Sequence, residues 1–118
     1  MTSKKRAILA CLGERDPGEY LERGAPPYSA SEVAEHLGLD LSNTAKALAA
    51  MERDGLLIRE MALRPVWNAI AGTDMERLCA CYWVAETMEG DRAAAQAWRS
   101  GGAARSEAAL SRMLALAP

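Results

Sequence analysis

The chain has no phenylalanine and a single histidine, and its aromatic residues are three tryptophans and three tyrosines. A core built without Phe, in a chain rich in Ala, Arg and Leu, points to a helix-rich protein. One histidine, His36, with no Cys or acidic partner at ligand spacing, is a surface residue and gives neither a metal site nor a catalytic base. The chain also lacks a Gly-rich phosphate loop, a G-x-S-x-G turn and any nucleophile, base and orienter in a recognisable set. We therefore expect no enzyme, no cofactor and no metal. The three cysteines, Cys11, Cys79 and Cys81, form no disulfide framework and fit a reducing, cytoplasmic setting. No apolar run approaches the length of a membrane span, the longest being 78–85, and the opening MTSKKRAILACLGERD is broken by charge too early for a secretory leader. Charge of either sign is also not in excess. A formal net charge of −2 excludes a protein that grips nucleic acid by bulk positive charge alone.

What is present is concentrated in 29–57, SASEVAEHLGLDLSNTAKALAAMERDGLL. Ser29 and Glu32 stand in S-x-x-E spacing, a capping box at a helix start. Val33 and Leu37 then share one face. Gly38 offers a left-handed stop, and Leu39 drops into the angle before a second helix. Asp40 is the N-cap of that helix, whose apolar stripe is Leu41, Thr44, Leu48 and Met51 and whose end is Asp54-Gly55. Ser42, Asn43, Lys46, Ala47, Ala50 and Arg53 are left on the outer face, small or polar with two cations.

This stretch resembles the helix-turn-helix of winged-helix bacterial transcription regulators, including the multiple-antibiotic-resistance type (MarR-like), over roughly residues 4 to 70. The resemblance implies that the helix over 41–53 lies in the major groove of double-stranded DNA. On this mapping Ser42, Asn43 and Lys46 contact bases, and Arg53, Arg64 and the cluster Lys4, Lys5 and Arg6 contact phosphates. Ala45 stands where the pattern often carries a polar residue. The amides at the helix starts capped by Ser29 and Asp40 also aim at DNA. The reading from residues alone leaves a second class open, a winged helix turned protein-interaction module such as an inhibitor, adaptor or mobile-element accessory protein. Its support is the acidic balance, the alanines on the outer face and a wing with one cation.

The flanks complete the expected fold. Ser3 caps a helix over 4–12 with Ala7, Ile8, Cys11 and Leu12 as its stripe. Residues 13–28 read as a loop with one helical turn capped by Asp16 and pinned by Tyr20 and Leu21. Leu56–Met61 and Val66–Ile70 read as two short wing strands joined by ALRP, with Arg64 at the tip as a phosphate contact or a solvated turn residue, and Trp67 as a core anchor beneath. Thr73 and Glu76 form a second capping box, predicting a helix from 73 to about 89. It is apolar almost all round through 78–85 and so needs cover on two sides. On that helix Cys79 and Cys81 would point about 200° apart and could not clip one ion.

Shorter helices follow over 92–99 and 104–117, the last with Ala109, Leu110, Met113, Leu114 and Ala117 on one face. The expected protein is mainly α, a winged helix-turn-helix with a three-helix core and small β-wing in 1–71, and a C-terminal helical extension in 72–118. We expect the extension to form a homodimer through Cys81, Trp83, Val84, Met88, Leu110, Met113 and Leu114, the alternative being that residues 91–117 fold back and cover the apolar helix within one chain. The function expected is sequence-specific DNA binding as a small repressor, with no membrane partner.

Overall fold

The computed structural model describes residues 2–102, 110–112 and 114–115. Its order is α1 (Ser3–Leu12), α2 (Pro17–Arg23), β1 (Tyr28–Ser29), α3 (Ala30–Leu37), α4 (Leu41–Arg53), β2 (Leu57–Asn68), β3 (Thr73–Val84) and α5 (Met88–Ser100). Residues 110–112 and 114–115 are also helical. The strands form one antiparallel sheet in the order β1-β3-β2. None of the described helices is long and apolar enough to cross a membrane.

Local chemistry sets the helix boundaries. The Thr2 hydroxyl, one residue before the expected cap, accepts the Lys5 amide at 3.2 Å and opens α1. Asp16 accepts the Gly18 amide at 2.9 Å, so the single turn expected in 13–28 is the seven-residue helix α2. Tyr20 pins it from the buried side, whereas Leu21 faces solvent. The capping box of α3 forms as spaced, and Gly38 ends the helix at φ 65°, a conformation that a side chain would strain.

The largest departure from the sequence expectation is 73–84. The predicted helix is strand β3, paired along its whole length with β2 from Asn68↔Thr73 to Leu57↔Val84. A short apolar run is compatible with a buried strand as well as with a buried helix, and periodicity does not separate them. Here the run is in the central strand of the sheet, covered on both faces at Cys81, Tyr82 and Trp83 but open at Leu78, which is exposed. Tyr82, opposite Tyr28 of β1, joins the cluster of Ile8, Leu12, Val33, Leu48, Met51 and Leu57 beneath the helix-turn-helix. Trp83 points the other way into Tyr20, Ala25 and Ala95, with Met88 and Trp98 packed around it.

The cover expected from a second subunit is thus supplied within the chain for Cys81 and Trp83, which are buried, and in part for Val84 and Met88. Residues 73–84 belong to the sheet, so the boundary drawn at 71/72 falls at the tip of a hairpin. The protein is helical with a three-stranded sheet larger than the small wing of the mainly α expectation.

The wing differs for the same reason. The runs expected as two short strands are one strand of 12 residues, and the residues read as a tight connection, including Arg64 and Pro65, lie inside it. The turn is 69–72, with Gly72 at φ 69°. Trp67, expected beneath the wing, is 65% exposed on the distal half of the hairpin. Cys79 and Cys81, two apart on a strand, share a face, so the helical argument against a local clip does not apply. Among the described residues no group of three metal-ligating side chains forms.

The second layer is fixed by charge. Asp91, fully buried in α5, accepts the Thr87 hydroxyl at 2.7 Å and pairs with Arg15 after α1. Arg92 pairs with Glu60 of β2 and lies over the Trp83 ring. These contacts clamp α5 across the hairpin base. Trp83→Ala is expected to lower the unfolding free energy by about 3–5 kcal/mol, the range for emptying an aromatic core site. Trp67→Ala should change it by less than about 0.5 kcal/mol. Urea denaturation of the two variants checks the assignment of core and surface.

Candidate nucleic-acid interface

The candidate interface is built on α4. Its first turn is held twice by Asp40, whose carboxylate accepts the Asn43 amide at 2.9 Å and whose carbonyl accepts the Thr44 hydroxyl at 2.7 Å. Thr44, Leu48 and Met51 are fully buried, which fixes the roll of the helix on the core. Ser42, Asn43, Lys46 and Arg53 are exposed on the other side. Ser42, Lys46 and Arg53 fall on one line along the helix, at spacings of four and seven residues, and Asn43 flanks it. That line is about 16 Å long at 1.5 Å per residue. α3 sets the angle of α4 through the turn at Gly38 and Leu39, where the Leu39 amide donates to the Ala34 carbonyl at 2.9 Å.

The other expected contacts are dispersed. Lys4 and Arg6 are exposed and Lys5 is half-buried at the start of α1, which packs on α3 and β3. Arg59, on the first part of β2, is exposed but lies 3.6 Å from Glu52 of α4.

Arg64 is a correction. It is not at the wing tip and is only 7% exposed. Its Nε and Nη2 donate to the two oxygens of Glu32 at 2.8 and 2.7 Å, a fork on a fork. Its Nη1 donates to the Ala25 carbonyl at 3.0 Å, and its guanidinium lies 5.4 Å from the centre of the Tyr28 ring. Burial alone would lower its pKa, but the hydrogen bonds and charge of Glu32 reverse this and raise it. Gly24, beside the guanidinium, adopts φ 77°, a conformation that a side chain would strain. The structure thus turns the one expected wing cation inward, where it cannot reach a phosphate.

The capping box gave Glu32 one role, and its second role as partner of Arg64 carries no local sign. The pair is 32 residues apart and joins only once β2 runs on past α3. The remaining wing is apolar, with Met61, Leu63, Trp67, Met75 and Leu78 exposed and Ile70 fully so. Its exposed charges beyond Leu63 are Asp74, Glu76 and Arg77.

A helix pair joined by a left-handed glycine, preceded by a helix and a short strand and followed by an antiparallel hairpin, is a winged helix-turn-helix. Residues 6–60, just under half of the chain, match the family model described as the IclR helix-turn-helix domain. This part of the chain is similar to that helix-turn-helix domain; the match supports a winged helix-turn-helix regulator and does not extend to the multiple-antibiotic-resistance type named from the resemblance. No curated protein and no solved structure matches the chain.

Burial around the Arg64 fork has a consequence in alkali. Burial pushes the Tyr28 hydroxyl and the Cys81 thiol up to about 12, from ordinary values of 10.0 and 9.0. Between those limits the unfolded chain has released protons that the folded chain still holds. Stability is therefore intact below about pH 9 and falls as pH rises from there toward about 12. Denaturant midpoints measured at about pH 8 and about pH 11 should differ, the second being lower. Tyr28→Phe should recover part of the loss. Separately, Arg64→Met leaves Glu32 without its partner and should cost about 3 kcal/mol by the same assay, as breaking one side of a buried pair does.

Proposed function

We propose that this protein is a small DNA-binding transcription regulator that reads double-stranded DNA with α4 in the major groove. The observation that carries the reading is the exposed row Ser42, Asn43, Lys46 and Arg53 on a helix capped by Asp40 and rolled by its buried stripe, within a stretch similar to the IclR helix-turn-helix domain. Ser42 and Asn43 bring short hydrogen-bonding groups and Lys46 a cation to base edges at the front of the helix. Arg53 at its far end, and Lys4, Lys5 and Arg6 on α1, serve phosphates. The row is not catalytic, and no reaction is assigned to it. We read the output as repression in the cytoplasm, by a homodimer whose two-fold axis matches two half-sites.

One observation favours a second reading, in which the winged helix docks on another protein and not on DNA. The hairpin exposes Met61, Leu63, Trp67 and Leu78, and the register places all four on one face of the ribbon. That is a surface suited to apolar contact and not to phosphate.

Fluorescence anisotropy of a labelled mixed-sequence duplex pool, titrated at two salt concentrations, separates the two. DNA binding should weaken steeply with salt, Lys46→Glu should abolish it, and Arg53→Ala should reduce the slope of log K against log salt by about 1. Arg64→Met should leave that slope unchanged, because the guanidinium is held by Glu32. Absence of binding at low salt by the folded protein would sink the DNA reading and favour the protein partner.

A further inference from the structure

The apolar stripe expected for α4 includes Leu41, yet the structure buries only Thr44, Leu48 and Met51 of that stripe. Leu41 is 52% exposed and lies outside both cores. It is the first residue of α4, one position before Ser42. One turn on, Ala45 is exposed as well, at a place where helices of this pattern often carry a polar residue. The leading half of α4 therefore shows water two apolar side chains that the packing of the helix does not use.

Residues four apart form a ridge along a helix. One ridge of α4 starts with Ser42 and Lys46 and is polar. The ridge beside it is Leu41, Ala45 and Ala49, the first two exposed and the third half-buried. At about 100° per residue this second ridge winds from the flank of α4 at Leu41 toward its outer face at Ala49, while Asn43 stands about 200° from Leu41 on the other flank. The front of the helix thus has two chemistries. Ser42, Asn43 and Lys46 bring hydrogen-bonding heads, and Leu41 with Ala45 brings hydrocarbon alone.

The major groove of DNA has one apolar group to match, the C5 methyl of thymine, which marks an A·T pair and is missing from G·C. The groove is about 12 Å wide and a helix with its side chains is about 10–12 Å across, so a helix lying in it brings its flanks as well as its outer line to the base edges. A phosphate against Leu41 would lose water and gain no donor, so the apolar ridge suits a base edge and not the backbone.

We propose that Leu41, with Ala45 behind it, is a specificity-determining contact to the C5 methyl of thymine, so that a site bound by α4 carries a thymine facing the leading turn of the helix. The inference rests on the DNA reading of α4 and adds to it the base that the apolar ridge selects. Ser42, Asn43 and Lys46 read donors and acceptors, and Leu41 reads the one feature of the groove that has neither. The alanine at 45 is then part of the readout, because its short side chain lets the base edge come close beside Leu41.

The test is to select sites from a random duplex pool with the full chain and then, in the preferred site, to replace each thymine in turn by deoxyuridine. That change deletes the methyl and keeps every hydrogen-bonding group of the base. For the unaltered protein, uracil at one position per half-site is expected to weaken binding about fourfold, the worth of one buried methyl group. Leu41→Ala, which puts a good helix former at an exposed position, should bind the thymine site more weakly and lose most of the distinction between thymine and uracil there. Lys46→Ala should lower affinity and keep the distinction. Circular dichroism checks that both variants fold, and the uracil scan of the unaltered protein needs neither of them. A scan with no sensitive position overturns the inference and leaves the DNA reading standing, as does a Leu41→Ala protein that keeps the full uracil penalty. Failure of the folded protein to select any site overturns the DNA reading itself, and this contact with it.

Discussion

The fork between Arg64 and Glu32 is the interaction on which the arrangement of the helix-turn-helix and the hairpin depends. A guanidinium that is nearly buried requires a carboxylate and further acceptors, and the fold supplies both from three separate segments. Glu32 comes from the first turn of α3, Ala25 from the loop before β1, and Arg64 from the middle of β2. The same Glu32 carboxylate also accepts the Ser29 amide and hydroxyl, each at 3.2 Å. One acid therefore ends the loop, starts the helix and holds the strand. Replacing the pair by apolar residues need not be costly, whereas removing one member leaves a buried charge alone, so the fork acts more as a latch on geometry than as a source of stability.

A second constraint follows from the sheet order. With β3 in the middle, its alternate residues serve two layers, Tyr82 the helix-turn-helix core and Trp83 the α2 and α5 side. The chain thereby packs two small cores on one strand. Asp91 with Arg15, and Arg92 with Glu60, fasten the second layer at its ends. The roll of α4 comes from the first layer alone, through Thr44, Leu48 and Met51. The surface offered to a ligand is thus set by packing that does not involve the distal hairpin.

How much of this could be read from the residues depends on how far apart the partners lie. The helix-turn-helix was legible because its signals are local: Ser29 with Glu32, Gly38 with Ala34, Asp40 with Asn43 are contacts of three or four residues. The buried and exposed faces of α4 followed from the same period. The identity of 73–84 was not legible, because Thr73 and Glu76 carry a helix-start pattern and the run 78–85 is apolar in either conformation. Only pairing with β2 decides it, and that pairing is a long ladder whose gain is cooperative. Arg64 was misplaced as a consequence: two short strands put it at a tip, while one long strand carries it back over α3. The proline beside it, read as part of a turn, sits instead on the outer strand of the sheet, where a missing amide is tolerated.

The inward turn of Arg64 changes what the wing can contribute to DNA binding. Beyond Leu63 the hairpin has one exposed cation, Arg77, against Asp74 and Glu76, and its tip is Ile70. In a chain of net charge −2, such a wing adds no counterion release of its own and faces phosphate with a neutral to acidic surface. In the proposed DNA complex sequence reading falls to α4, whose row contains just two cations, and a single such row gives few phosphate contacts. In the proposed homodimer two rows held at a fixed spacing would double those contacts without new chemistry on either chain, the second binding at a high effective concentration. A wing that is apolar beyond Leu63 and latched at Arg64 is a poor surface for phosphate. On the reading proposed above, the loss of charge at the wing leaves recognition to α4 and makes a second row from a second copy the natural complement.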